Sequence, residues 1–121
     1  MKRHFLATSI MAVCLPLAGI AGGFATSYRL DGGLVAVTNA QANSSWATVA
    51  VLVRFDGGAT GTVAVKRESQ GNTFTLSTCT FAGATNLVWV ADRDYAFGFG
   101  EVLVIESTAT NGVVQVMRKG D

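Results

Sequence analysis

Asp92-Arg93-Asp94 places two carboxylates two residues apart with a guanidinium between them. Such a triplet could lend oxygen ligands to a calcium ion or supply an acid pair. It could equally be a solvated turn in which Arg93 neutralises both neighbours. Other residues able to do chemistry are sparse. The one histidine, His4, lies near the start of the chain, so nothing beyond residue 26 can complete a Ser-His-Asp or Cys-His arrangement. A zinc site needs four suitable ligands, and Cys79 with scattered acids does not supply them. The glycine clusters lie between apolar runs rather than ahead of a helix, so no phosphate-binding loop is formed. Asn43-Ser44-Ser45 matches a glycosylation sequon, a very short pattern. These residue types point away from enzymatic chemistry, and no cofactor or metal is expected.

A second constellation is aromatic. Tyr95, Phe97 and Phe99 alternate with Ala96, Gly98 and Gly100, so three rings could lie along one side of an extended stretch. They would then offer a contact patch to a partner subunit or a glycan, since rings bury much area at low entropy cost. The alternative is a strand that closes the core with its rings inward. Trp46 and Trp89 pose the same choice. These five residues are the candidate interface set.

The elements that must position them are strands. Residues 46–55 hold valines at 49, 51 and 53 with Phe55 beyond, which makes one face of an extended strand continuously apolar. Trp46, Thr48, Ala50, Leu52 and Arg54 fall on the opposite, mixed face. Alternating β-branched residues favour the pleated surface over a helix, where their χ1 freedom is restricted. Asp56-Gly57-Gly58 is expected to stop this strand. Further runs follow at roughly ten-residue spacing: 28–30, 34–38, 62–68, 73–81, 87–91, 101–106 and 113–118. Between them lie turns, among them 69–72, 82–86, a loop at 92–100, and Asn111-Gly112, a strong hairpin signal. The Asp-Gly-Gly at 31 and at 56 is shared turn chemistry, not a repeat. The expectation is an all-β chain, an antiparallel β-sandwich or jelly-roll-like barrel of about seven short strands preceded by an apolar N-terminal segment.

That segment, residues 1–26, opens with Lys2, Arg3 and His4 and continues uncharged from Phe5 to Gly23. It fits a secretory leader with cleavage after Ala21 or Ala25. It is also long enough to be a retained apolar arm or a membrane anchor, although Pro16 and the many small residues make it a poor anchor. The expected organisation is a leader over 1–26 and a single β domain over 27–121. Cys14 falls in the leader and Cys79 in a strand, where a buried thiol is expected. Only 14% of the chain is charged, and the part after residue 26 carries seven basic and eight acidic residues. No basic stripe remains to bind nucleic acid.

From about Ala47 to Lys119 the layout resembles small β-sandwich proteins of tailed-phage virions. Those carry a Thr-Val-x-Val-x-Arg strand, here Thr62 to Arg67, followed by Thr-Phe-Thr-Leu, here from Thr73. A Val-Trp-Val strand at 88–90 and a Gly-acid-x-Leu-x-Ile strand at 100–105 complete the match. The resemblance implies a capsid decoration or cement-like role in the virion, with subunits of the same assembly or a major capsid protein as partners. The leader departs from that pattern, because a virion protein assembled in the cytoplasm needs none. Two functions are therefore expected in turn. The first is a non-enzymatic structural protein of a repeating assembly. The second is an exported module, secreted or periplasmic, that binds a surface or carbohydrate.

Overall fold

The computed structural model describes residues 4–8 and 24–120; Cys14, the cleavage position at Ala21 and most of the leader lie outside them. The strands are β1 (His4–Thr8), β2 (Phe24–Arg29), β3 (Leu34–Thr38), β4 (Trp46–Ser69), β5 (Asn72–Phe97), β6 (Val102–Ser107) and β7 (Gly112–Gly120). Every pairing is antiparallel. The all-β antiparallel expectation holds. The strand lengths do not, because β4 runs for 24 residues and β5 for 26.

These two strands form one long hairpin, turning at Gln70-Gly71, that runs through both halves of the molecule. The first half of β4 is flanked by β7 and by the second half of β5, and these extend outward to β2 and β1. The second half of β4 is flanked by β6, which extends to β3, and by the first half of β5. A single curled sheet thus acts as two layers. We refer to the layer ordered β2-β7-β4-β5-β1 as the first and β3-β6-β4-β5 as the second.

The segments 56–61 and 82–86, expected as turns, are instead the bends of this hairpin. Pairing continues through Ala59 and Ala84, with register shifts on either side. Gly57 and Gly58 (φ 79° and 85°) and Gly83 (φ 67°) adopt the left-handed backbone that irregular ribbon requires. The chain therefore changes direction without leaving the ladder.

The inner faces meet in one core. Val51, Val53, Leu87, Trp89, Val114 and Val116 come from the first layer, and Val63, Val65, Leu103 and Ile105 from the second, all fully buried. Phe55 and Phe81 stack at 5.0 Å beside the bends. Burial of each such side chain contributes about 1.5–3 kcal/mol relative to exposure. The centre of the first layer is buried on its outer side as well, at Ala50, Val88 and Met117. β2 crosses residue 26 as one continuous strand, paired with β7 from Phe24 to Arg29, and β1 pairs with β5 over residues 86–90.

Candidate functional site

A register shift in β4 between Thr48 and Ala50 decides where Trp46 points. Beyond it, Val51, Val53 and Phe55 face the core; before it, the inward parity moves to the even positions Trp46 and Thr48. The sequence pattern put Trp46 and Thr48 on the mixed face with Val49 on the apolar one. The bulge reverses this, leaving Val49 half-buried and Trp46 and Thr48 buried. Trp46 stacks on Phe97 at 4.7 Å.

Four of the five candidate interface residues are packed within the chain. Trp89 and Phe97 are fully buried, and Trp46 and Tyr95 very nearly so. Tyr95 lies 5.9 Å from Trp89 and donates its hydroxyl to Asp92 at 2.8 Å. Phe99 differs, with 63% of its surface exposed. β5 ends at Phe97, so the alternation that buries Tyr95 and Phe97 does not reach Phe99.

Around Phe97 the chain builds a polar clamp. Glu101 accepts from Arg67 on both carboxylate oxygens, at 3.0 and 2.9 Å, from Ser69 at 2.6 Å and from the Gly98 amide at 2.7 Å. The hydrogen bonds from Ser69 and Arg67 hold the Glu101 carboxyl down at about 2. Glu101 is thus a fixed anion at neutral pH, unsuited to proton transfer. Arg67 also lies 5.6 Å from the Phe97 ring centroid. Behind it, buried Asn39 donates to the carbonyls of Phe97 (2.8 Å) and Ser44 (3.0 Å), fixing the loop at 39–45. Sequence patterning gave no sign of this asparagine; its signal was only a polar residue just after an alternating strand.

The carboxylates of the 92–94 triplet are tied down as well. Asp94 pairs with Lys119 at 3.0 Å, Asp92 accepts from Tyr95, and Arg93 lies over the Tyr95 ring at 5.4 Å. Among the described residues no cluster of three or more His, Cys, Asp or Glu is placed to hold a metal. Cys79 is a buried free thiol, and burial raises its pKa. No described helix is long and apolar enough to cross a membrane.

What the surface offers is strand edge and apolar side chain. Residues 72–81 of β5 pair with β4 on one side only, which leaves their other edge open among the described residues. Those ten residues, Asn72 to Phe81, contain no charge and no proline. Thr73, Thr75, Thr78 and Thr80 are exposed along them. Phe74, opposite Arg67 in the ladder, is 55% exposed. At the other side of the second layer, β3 leaves the edge Leu34–Thr38 open among the described residues, also uncharged, with Leu34 exposed. A groove of about 470 Å³ beside it is lined by Leu34, Thr62, Ala64, Thr108 and the ion pair of Lys66 with Glu106. Natural sheets usually blunt such edges with charge, proline or short length. Neither edge here carries charge or proline, and the β5 edge is long as well.

No family model matches the chain, and no curated protein matches it. Among solved structures it is similar to the Drosophila NLP core, whose structure is described as providing insight into pentamer formation and histone binding. The identity is 9%, the match covers 82% of this chain and 95% of that one, and the TM-score is 0.49. At that identity and score the likeness says nothing of what this chain does.

Proposed function

We propose that the protein is a non-enzymatic structural subunit that packs against neighbours in a repeating assembly. The observation that carries this reading is the pair of uncharged edges bounding the second layer, Leu34–Thr38 and Asn72–Phe81, both open among the described residues. Each presents backbone donors and acceptors that no described strand pairs, to which another strand can add. Phe74 and Phe99 add exposed apolar area, and both flank the Arg67–Glu101 clamp, Phe74 through the ladder and Phe99 through the chain. Low overall charge fits a surface that is covered in use. A finer assignment, to capsid decoration or a cement-like role in a virion, rests on the sequence resemblance alone. Subunits of the same assembly, its own copies or a major capsid protein, are the partners proposed with it.

The test is fractionation of the native source with detection of the intact chain. The protein is expected to sediment with large particles and to be released only when they are dissociated. Recovery as a stable soluble monomer without affinity for any particle would overturn the proposal and turn attention to the exported binding module.

A further inference from the structure

We infer that the 72–81 edge of β5 pairs antiparallel with the same edge of a second copy, giving a dimer with two-fold symmetry. This rests on the assembly reading above and names the partner of one of its edges. The first argument is charge. A two-fold contact sets a strand against its own sequence, so any charged residue near the axis meets a like charge. Residues 72–81 have none, and the turn before them, Ser69-Gln70-Gly71, has none either.

The second argument is register. The inward and outward positions of this stretch are not evenly spaced, because a register shift between Val65 and Lys66 gives β5 an extra residue, leaving Leu76 buried beside buried Ser77. The exposed threonines consequently fall at 73, 75, 78 and 80, symmetrically about the midpoint between Leu76 and Ser77. Antiparallel self-pairing about that midpoint sets Thr75 against Thr78 of the second copy and Thr73 against its Thr80. All four outward threonines then meet threonines, a favourable cross-strand pairing. On the inward side Phe74 comes to lie opposite Cys79 of the second copy, which covers a ring now 55% exposed. Two such rings are covered per dimer.

The alternative occupant is the Leu34–Thr38 edge of another copy. Pairing of that kind is head-to-tail and continues past two subunits into rings or fibres. Self-pairing stops at two.

The full chain is examined by sedimentation velocity across a wide concentration range, as wild type and as Thr78→Lys. Thr78 is exposed, so the substitution places a cation on the edge without entering the core. The wild type is expected to be a dimer. Thr78→Lys should be a monomer with unchanged circular dichroism, and Thr75→Lys replaces it should that variant fail to fold. The register is read separately in Phe74→Cys on a Cys14→Ser background. Oxidation should link Cys79 to the new thiol of the second copy and give a covalent dimer reverting on reduction. A wild-type monomer at all concentrations, an association unaffected by either lysine, or the absence of the covalent dimer on oxidation would overturn the inference. A monomer that still joins its native particle would sink self-pairing and leave the assembly reading standing, whereas a chain found in no particle would sink that reading itself.

Discussion

Glu101 receives the Arg67 guanidinium on both carboxylate oxygens, joining the turn before β6 to the far end of β4. Ser69 and the Gly98 amide complete the carboxylate's shell. The folded carboxyl titrates at about 2, against an ordinary value of 4.5. Its folded pKa is depressed, so it stabilises the fold fully above the unfolded pKa. That contribution fades as pH falls from about 4.5 towards 2. Urea titrations at pH 7, 4 and 3 should show a declining midpoint in the wild type and a smaller decline in Glu101→Gln. At pH 7 the substitution should cost roughly 2 kcal/mol, as expected for charge-assisted hydrogen bonds with little exposure.

The end of the molecule this clamp closes was only partly legible in the sequence. Alternation in 34–38, 62–68 and 113–118 identified strands, because side-chain period 2 is a local property. Period counting fails at a bulge, and the one near Val49 moved Trp46 from the mixed face into the core. Asp56-Gly57-Gly58 has the composition of a turn, yet its partner strand bends with it, so β4 continues. Whether glycines end a strand or bend it depends on the opposite strand, a non-local fact. The run Tyr95-Ala96-Phe97-Gly98-Phe99 reads as one stripe, but the Gly98–Glu101 contacts end the extended backbone before Phe99. The open edge of 72–81 needed the topology, since no strand announces how many neighbours it has.

Two phenylalanines separate stability from association. Phe55 stacks on Phe81 and is almost wholly buried, so Phe55→Ala should cost about 3–5 kcal/mol through lost burial and a residual cavity. Phe99 is exposed, and Phe99→Ser should change stability by no more than about 0.5 kcal/mol. Calorimetry on both variants checks this. If Phe99 contributes to assembly contacts, Phe99→Ser will lower the fraction recovered with particles while melting like the wild type.

The two Asp-Gly-Gly sequences, alike on paper, should respond differently to alanine. Gly57 has φ +79° with open space where a Cβ would go. Gly57→Ala therefore meets only the left-handed backbone penalty, about 1 kcal/mol. Gly33 has φ +76°, and a Cβ there would lie 2.6 Å from the Ser107 carbonyl oxygen. That backbone is held in place, because the Ser107 amide donates to the Gly33 carbonyl at 2.7 Å. Gly33→Ala should cost about 2–4 kcal/mol, strain and overpacking together. Chemical denaturation of the two variants should rank them in that order, and equal losses would contradict the account.

Arg118 bears on where an export leader could be removed. Its guanidinium lies 4.5 Å from the Phe24 ring centroid and 4.7 Å from that of Trp46, and it donates to Thr26 Oγ1 at 3.1 Å. Phe24 and Ala25 also pair with Arg118 and Met117 in the β2–β7 ladder. A chain starting at Gly22, as cleavage after Ala21 would leave it, keeps all of these contacts. A chain starting at Thr26, the product of cleavage after Ala25, loses the Phe24 ring and two ladder residues. At a partly exposed site the cation–π contact contributes about 0.5–1 kcal/mol. The Thr26 form should therefore unfold at lower urea than the Gly22 form, and Phe24→Ala in the longer form should recover part of the difference. Equal midpoints would mean that Phe24 adds nothing to the first layer, and the choice between the two cleavage positions would carry no structural consequence. If the longer form is more stable as expected, an exported protein would gain by cleavage after Ala21, which N-terminal sequencing of the native chain can check directly.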